Sequence, residues 1–577
     1  MAYATIVPLR CANQSRHNRC TLEGFFTCKN CKLVSYCGSA CQKLHWDSHK
    51  VKCRSPLNKA SWLPDWDRDN RQPAWASIEA SKKFHNPYGS SKYLWGNTPA
   101  IDIAQFSGNE GSTYDSNVAL LFAASGDLRN VVKTIRDLPE SIHHEVEVTV
   151  NDWDFDVAAR NAIILLLAFA SMDDVSSDPA TYAIVAESLI HMWYSAFITQ
   201  DLLSLLQTKV RNLLHDDSTH TVEVMHDGGV KKTWIFHRDK TLSVTLQADQ
   251  WLRMDAFLEV PAGLTKESAE QLRAAVVMAP ERADYRDRWY FKDACPSMRL
   301  AKQQFREDGL LLPFGHSRVE FNVPNPTMFQ SPDCWPFDDK SDPMAGWNIL
   351  EVYKIPWVAS EDAYGKLFAY LRREFQGFLH RMATLPISFQ LHNVDAKLLP
   401  RLLIPKLYGR IEVSNISDSG YVGTSQILSL FAPLLQPQTL NAHATMITCY
   451  LNAVMEIVKT TNADAMPDID FLARYLPEGL DIAKIVRQGA EIYKAWDCRT
   501  FSIESDRYFN KYMKLQDFKG AATDAGMRMK TVNTIVDSWP LRLGTGKTDT
   551  AAQQEFNLLL SSSSSGVERY VEWSRNS

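Results

Sequence analysis

The clearest pattern of apolar and polar positions lies in the first third of the chain. The apolar run Val118–Ala124 is typical of a buried strand, and it stops at the polar turn Ser125-Gly126-Asp127. Helical periodicity follows over residues 128–138, and residues 145–150 predict a second strand that ends at Asn151-Asp152. Strand, turn, helix and strand in this order predict a βαβ unit of an α/β domain with a parallel sheet.

The same patterns predict further elements of this domain downstream. Residues 261–385 alternate short helical stretches with proline-rich runs, so they are predicted to be a large insertion, and residues 466–577 are predicted to be mainly helical. The serine run 561–565 is predicted to be a low-complexity hinge before a final edge strand. Predicted helices cover residues 157–170, 181–197, 200–215, 361–382 and 426–435, and predicted strands cover residues 231–236, 241–246, 387–391, 409–414, 444–451 and 567–573.

These patterns divide the 577 residues into segments. The stretch before the βαβ unit contains Trp62, Trp66, Trp75 and Trp95 among Pro, Asn and Gly, which predicts an ordered connector that wraps the next domain. The predicted segments are a cysteine-rich head (1–56), the connector (57–117), the first half of a Rossmann-like domain (118–260), the insertion (261–385), the second half of that domain (386–465) and a helical C-terminal region (466–577).

Composition narrows the range of partners. The formal net charge is −5 and the pI is about 6.3, so no global field draws the protein to nucleic acid or to anionic membranes. Residues 1–10 hold no apolar signal-peptide core, and the longest apolar run, Ala162–Ala170, is much shorter than the roughly 20 residues of a membrane span. We therefore expect no direct contact with nucleic acid or membrane, and a cytoplasmic or nuclear location, where cysteines stay reduced.

Cysteines dominate the head. Seven of the eleven cysteines lie between residues 11 and 53, with His49 four residues before the last of them. Thiolates at such short spacings, joined by one histidine, are the ligands that structural zinc requires, and two zinc ions need eight ligands. The candidate ligands are Cys11, Cys20, Cys28, Cys31, Cys37, Cys41, His49 and Cys53.

The run Tyr36-Cys37, Cys41-Gln42, Trp46, His49-Lys50 and Cys53 resembles the MYND zinc finger, a small treble-clef-like protein-interaction module with two zinc ions. The resemblance implies interleaved sites: one from Cys11, Cys20, Cys37 and Cys41, the other from Cys28, Cys31, His49 and Cys53. It departs from the family in the wide Cys11–Cys20 spacing, which leaves His17 as a competing ligand. The resemblance also implies binding of short proline-rich peptides beside Gln42 and Trp46.

The large domain carries a second resemblance. The block Gly126–Lys133 and residues 408–454 resemble a class I methyltransferase-like domain of unknown function, which also opens a dynein axonemal assembly factor and recurs in fungal proteins with an N-terminal MYND finger. The residues that could hold a cofactor there are Gly126, Asp127 and Asp152. The G-x-G-x-x-G fingerprint of dinucleotide sites is absent, however, and one glycine stands where three are expected.

Three functions are compatible with these features. The first is an interaction adaptor, in which a two-zinc finger recruits proteins and the α/β domain serves as a scaffold. The second is an S-adenosylmethionine-dependent methyltransferase, and the third is a nuclear regulator that acts through the finger. No Ser-His-Asp triad can be assigned and no H-E-x-x-H motif is present, and eight protein ligands leave zinc no open position for water. We therefore favour the adaptor, with no catalytic residue assigned.

Overall fold

The computed structural model describes residues 9–15, 18–76, 88–173, 179–226, 228–460, 489–491, 493–494, 497, 505–543 and 549–576. Within these residues the chain forms a small N-terminal finger and a large α/β body around a ten-stranded sheet. The prediction of an α/β protein is confirmed at this level.

The strands of the finger are only two residues long, whereas those of the body reach eight residues. In chain order the strands are β1 (Leu9–Arg10), β2 (Gln14–Ser15), β3 (Asn18–Arg19), β4 (Glu23–Gly24), β5 (Phe26–Thr27), β6 (Ser35–Tyr36), β7 (Val118–Ala123), β8 (Val146–Asn151), β9 (Phe197–Thr199), β10 (His220–Val224), β11 (Gly229–Phe236), β12 (Lys240–Gln247), β13 (Phe321–Pro324), β14 (Ile387–His392), β15 (Arg410–Glu412), β16 (Thr445–Tyr450), β17 (Met527–Met529) and β18 (Arg569–Arg575).

The helices include one in the finger and many around the sheet. They are α1 (Ser39–Cys53), α2 (Asp65–Arg68), α3 (Arg129–Asp137), α4 (Phe155–Asp173), α5 (Pro179–Tyr194), α6 (Gln200–Leu205), α7 (Arg211–His215), α8 (Ala248–Arg253), α9 (Lys266–Val277), α10 (Ala283–Phe291), α11 (Pro296–Asp308), α12 (Ile349–Tyr353), α13 (Ala363–Thr384), α14 (Leu399–Leu403), α15 (Thr424–Phe431), α16 (Ala453–Thr460), α17 (Ser505–Leu515), α18 (Phe518–Asp524) and α19 (Asp549–Ser561).

The large sheet has the order β10-β11-β12-β14-β8-β7-β15-β16-β18-β17. The six strands from β12 to β16 in this order are parallel to one another, and β7 and β8 pair in the register Val118↔Val146. The hairpin β10–β11 extends one edge with antiparallel strands, and β18 lies antiparallel between β16 and β17. The carboxyl ends of β7, β8, β15 and β16 therefore share one edge of the sheet, where the candidate cofactor residues lie.

Apolar side chains alternate between the two faces of this sheet. In β7, Leu120 and Phe122 point to one core, while Leu121 and Ala123 belong to another on the opposite face. This alternation follows from the two-residue period of a strand, and a strand buried on both faces needs apolar residues at nearly every position. The predicted βαβ unit is confirmed, because the observed elements β7, α3 and β8 start and end within one residue of the prediction.

The predicted edge strand at residues 567–573 is wrong in its position. The observed strand, β18, lies inside the sheet between two other strands, and six of its seven residues are buried. Tyr570, Val571 and Trp573 supply apolar side chains to both faces, which an interior strand requires. The helical C-terminal region thus also contributes strands β17 and β18 to the sheet.

The helix α4 fills the core beneath the sheet, where the ring of Phe169 stacks on Phe236 with centroids 4.5 Å apart. It is longer than predicted, and its window Phe155–Met172 has a mean hydropathy of 1.6, enough by length and composition to cross a membrane. Of that window, 89% is buried inside the protein, as in a core helix.

The connector packs against the body. The guanidinium of Arg410 in β15 is buried and pairs with Glu110 at 2.7 Å, and the indole of Trp95 donates to the Trp193 carbonyl at 2.7 Å. The indoles of Trp66 and Trp75 pack against each other in a small separate cluster. In the residues that the structure describes, the connector therefore packs on the body.

The finger also docks on the body. The Thr27 hydroxyl donates to the Val358 carbonyl at 2.7 Å, and the Lys52 ammonium donates to Gln304 at 2.7 Å. At the periphery, Arg19 and Glu320 form an exposed ion pair at 2.8 Å. The body therefore holds the finger in one orientation.

Candidate functional site

Two groups of zinc-type ligands lie in the finger. In the first group, Cys11 directly follows β1, the hairpin β2–β3 leads to Cys20, Cys37 directly follows β6, and the first turn of α1 supplies Cys41. Cys37 lies just before the N-cap of α1, Gly38, so this pair spans the start of the helix and does not share a helix face. The Sγ atoms of Cys37 and Cys41 lie 3.4 Å apart, and those of Cys20 and Cys37 lie 3.7 Å apart.

The second group lies deeper. The tight turn between β5 and β6 supplies Cys28 and Cys31, and the end of α1 supplies His49 and Cys53, and all four are buried. The Sγ atoms of Cys28 and Cys53 are 3.8 Å apart, and Cys31 Sγ lies 3.6 Å from His49 Nε2. Nε2 is therefore the ring nitrogen that faces the group.

The donor geometry fits zinc. Thiolates held at about 2.3 Å from a tetrahedral zinc ion lie roughly 3.8 Å from one another. Within each group, the ligand atoms all lie within 4.8 Å of one another, and the contacts above cluster near the expected separation. The two Cys/His clusters could hold two zinc ions, and the expected interleaving is the one that the structure shows.

Two asparagines support these sulfurs, and the sequence analysis missed both. The amide of Asn30 donates to Cys53 Sγ at 3.1 Å, and that of Asn13 contacts Cys41 Sγ at 3.5 Å. Hydrogen bonds of this kind orient metal ligands and stabilise their charge. Their sequence signal is position, because Asn30 lies inside the Cys28–Cys31 turn and Asn13 lies two residues after Cys11.

The protonation of the cysteine thiols also affects whether these groups can hold zinc. Burial raises the pKa of Cys11 and of Cys53. The Cys31 thiol donates to Cys28, which lowers the pKa of Cys28 to about 3, and the same contact raises the pKa of Cys31. The thiols of one group thus cannot all ionise without a cation among them, and zinc supplies that charge by displacing the protons.

The alternative ligand His17 lies outside the described residues, whereas Cys11 occupies a ligand position in the first group. The other nearby histidine, His45, is half-buried, and its Nδ1 lies 3.0 Å from the Tyr36 hydroxyl. It belongs to neither group.

Several apolar and aromatic side chains are exposed around the metal groups. Phe25 and Phe26 are 61% and 64% exposed, and Leu44 and Val51 project from one face of α1. Gln42 and Trp46 are half-buried, and the Arg54 guanidinium lies 5.2 Å from the centroid of the Trp46 ring. A ligand that packs on this indole therefore competes with Arg54.

At the edge of the large sheet, the three candidate cofactor residues are used by the protein itself. Gly126 adopts a left-handed φ of +59°, and its N–H donates to Asp152 Oδ2 at 2.9 Å. The other oxygen of Asp152 accepts from the Asp154 N–H at 2.9 Å. Burial raises the pKa of Asp152 to about 6. The carboxylate that a ribose would need thus holds the turn after β7.

Asp127 is sealed beneath the connector. Its carboxylate accepts from the Gly96 N–H at 2.8 Å and pairs with Arg129 at 2.6 Å. The Arg129 guanidinium also donates to the Thr98 carbonyl and hydroxyl, both at 2.8 Å. Gly96 has to be glycine, because a Cβ there would lie 2.0 Å from Arg129. The connector therefore covers the turn where a cofactor would approach.

Residues 11–53 match the family model of the MYND finger. The chain carries an N-terminal MYND finger. A second family model, the domain of unknown function DUF4470, matches residues 94–198, from the connector to β9. The MYND finger is thus followed by a DUF4470 domain.

One curated protein is similar over a short stretch. Tudor domain-containing protein 1 of Mus musculus is 35% identical over 78 residues. This match covers 13% of the present chain and 6% of the mouse protein, so the chain spans only a small part of that relative. No solved structure matches the chain.

Proposed function

We propose that the protein is an adaptor whose MYND finger recruits other proteins while the α/β body serves as a scaffold. The observation that carries this proposal is the closure of both metal groups. Each group offers four protein ligands, which fill a tetrahedral zinc ion and leave no position for a catalytic water. In such a site zinc supplies folding free energy and holds a binding surface in shape.

The proposed partners are segments rich in proline. A preformed polyproline helix binds with little loss of entropy and packs its rings on aromatic side chains. The half-buried Trp46, beside Gln42, and the exposed Phe25 and Phe26 supply such side chains on the MYND finger. Because a short segment buries little area, we expect affinities near micromolar, about −8 kcal/mol. A cytoplasmic or nuclear location suits the reduced thiols.

The experiment measures binding of a panel of proline-rich peptides to the full chain. Trp46→Ala removes the indole on α1, and it is expected to weaken binding at least about tenfold while both zinc ions are retained. The matched control is Trp153→Ala, since Trp153 is 77% exposed on the body. Equal affinity of the two variants, with zinc intact in both, would contradict the proposal that the MYND finger binds proline-rich peptides.

A second candidate function is S-adenosylmethionine-dependent methyl transfer. It is favoured by the strand order β14-β8-β7-β15-β16, which, numbered along the chain, is the 3-2-1-4-5 of doubly wound nucleotide-binding sheets. In such sheets ligands bind where the order reverses, here between β7 and β15. Ala124 and Ser414, which follow these strands, have φ values of +77° and +52°, and strained residues of this kind concentrate at ligand sites.

The adaptor remains the stronger proposal because Asp127 and Asp152 are already occupied by backbone N–H groups. Calorimetry of the full chain with sub-millimolar S-adenosylmethionine is expected to give no binding. Micromolar binding that Asp152→Ala abolishes would put the methyltransferase first. In either case, we infer that the protein belongs with the fungal-type proteins that join a MYND finger to the domain shared with a dynein axonemal assembly factor.

A further inference from the structure

A cavity of about 610 Å³ opens at the carboxyl edge of the large sheet, away from the metal groups. Its walls are the connector near Trp95, the helix α11, the turn at Asp338–Asp342, the residues after β16, and the serine run that ends α19. Pockets of about 300–1,000 Å³ are the usual size for small ligands. The serine run, predicted as a hinge, is therefore part of a cavity wall.

Positive charge dominates this cavity. Six cationic side chains line it, against three carboxylates. Three of the cations have carboxylate partners: Lys302 pairs with Asp293 at 2.6 Å, Lys92 pairs with Asp156, and Lys340 lies 4.0 Å from Asp338. The lining cations are Lys92, Lys292, Lys302, Arg306, Lys340 and Lys459, and the lining carboxylates are Asp338, Asp342 and Glu568.

Lys292 stands out among these cations. Within the described part of the chain, no hydrogen bond or ion pair engages its ammonium group. The carboxylates that act on it are already paired, since Asp497 binds Arg288 and Asp293 binds Lys302, each at 2.6 Å. Burial lowers the pKa of Lys292, which shows how poorly its charge is compensated.

Arg306 is a second cationic side chain whose hydrogen-bond donors are only partly satisfied. It is buried, one of its terminal nitrogens donates to the Asp339 carbonyl at 2.6 Å, and its Nε has no hydrogen-bond partner. Charges and donors buried in this way cost free energy unless a partner satisfies them. An anion in the cavity would supply that partner to both Lys292 and Arg306.

The remaining walls supply hydroxyl and aromatic groups. Ser563 and Ser565 are exposed in the serine run beside the cavity. The ring of Trp289 lies 4.7 Å from the Arg306 guanidinium, and Tyr93 is largely exposed. Hydroxyls suit phosphate oxygens, and aromatic faces suit a planar ring.

One carboxyl group in the cavity wall, that of Glu568, would repel an anion if it were ionised. Glu568 is buried, its Oε1 accepts from the Ser565 N–H at 3.1 Å, and its Oε2 has no partner. Burial raises the pKa of Glu568, which favours the neutral carboxyl, and a neutral carboxyl can donate to a phosphate oxygen.

We propose that this cavity binds a small molecule that carries both phosphate and a planar ring, that is, a nucleotide. Lys292 and Arg306 meet the phosphates, the serine run supplies hydroxyl groups, and Tyr93 and Trp289 border the ring. Gly126, Asp127 and Asp152 do not line the cavity, although Gly96, which donates to Asp127, does, and the site does not depend on the function of the MYND finger.

Calorimetry of the full chain with ATP tests the site. Lys292→Ala is expected to weaken ATP binding at least about tenfold, because it removes a charge-assisted contact. The matched control, Lys519→Ala, changes an exposed lysine of α18 and is expected to leave affinity unchanged. Circular dichroism establishes that each variant is folded.

Ligand variants separate the two halves of the proposal. Adenosine, without phosphates, and tripolyphosphate, without a ring, are each expected to bind more weakly than ATP. Absence of heat with millimolar ATP, or equal affinity in the Lys292 and Lys519 variants, would overturn the site. Tripolyphosphate binding as tightly as ATP would overturn the assignment to a nucleotide.

Discussion

The MYND finger and the α/β body are stabilised in different ways. The helix α1 of the MYND finger buries only His49 and Cys53, and both are ligand residues of the second group. In the body, by contrast, strand β16 is buried at all six positions by apolar and hydrogen-bonded side chains. The finger buries few apolar side chains, among them Leu33, Val34 and Tyr36, so metal binding has to supply most of its folding free energy, whereas apolar burial supplies that of the body.

The two regions also differ in what they expose. Phe25 and Phe26 of the MYND finger face solvent, while Asp127 and Asp152 of the body are sealed by backbone N–H groups. An exposed apolar surface held by structural zinc suits partner binding, whereas carboxylates already bound by the protein's own N–H groups suit a scaffold. This contrast favours the adaptor over the methyltransferase.

The largest expected effect comes from breaking a metal group. Cys28→Ser removes one ligand of the second group, where structural zinc contributes about 10–16 kcal/mol of apparent binding free energy. We expect loss of that ion and unfolding of the MYND finger, while the body keeps its own unfolding transition. Metal analysis and calorimetric unfolding of the full chain measure both effects.

The control for this variant is Cys334→Ser, since Cys334 is an exposed cysteine of the body. It is expected to retain both ions. If Cys28→Ser retained both ions as well, the assignment of the second group would be wrong.

The body is expected to respond to lost apolar volume instead. Phe389 in β14 is fully buried, so Phe389→Ala should cost about 3–5 kcal/mol of unfolding free energy without loss of zinc. Val222→Ala, at a position 56% exposed in β10, should change it by less than about 0.5 kcal/mol. Denaturant titration gives these values, and loss of zinc from Phe389→Ala would contradict the separation of the two regions.

A smaller effect concerns pH. Burial raises the pKa of Glu412, at the end of β15, to about 7, so the folded protein holds a proton that the unfolded chain releases at lower pH. Stability should therefore fall as pH rises from the ordinary range of glutamate toward 7, by at most about 1.4 kcal/mol per pH unit. Glu412→Gln should remove this part of the slope, as measured by unfolding at several pH values; an unchanged slope would contradict it.

The smallest effect lies where the two regions meet. Arg19 and Glu320 form an exposed ion pair between the MYND finger and the body, so Glu320→Ala should cost no more than about 1 kcal/mol. Limited proteolysis and thermal unfolding measure this change. A loss comparable to that of Phe389→Ala would mean that the interface, and not the core, dominates stability.

The metal groups were accessible to sequence analysis because ligand chemistry restricts both residue type and spacing. His49 and Cys53 share a face of α1 because they are four residues apart, whereas Cys37 lies just before this helix and only Cys41 lies within it. Asn13 and Asn30 could not be predicted in the same way, because their contacts with the cysteine sulfurs form only when the chain is folded.

In the body, local pattern identified the strands but not their neighbours. The run 567–573 was recognised as a strand, yet its place between β16 and β17 depends on contacts that span the whole chain. The contact of the connector with Asp127 could not be predicted either, because Gly96 lies 31 residues away from it in sequence. The cationic cavity combines segments from the connector to the serine run, and no local pattern brings them together.

The central claim is that protein ligands alone close both metal groups, and X-ray absorption spectroscopy at the zinc edge of the full chain tests it most directly. We predict two zinc ions per chain, bound in total by seven sulfurs and one nitrogen, as the two groups provide. A second nitrogen in place of a sulfur would give His17 the position assigned to Cys11. An oxygen ligand or an incomplete shell would contradict the claim, because an open zinc position is what a catalytic site retains.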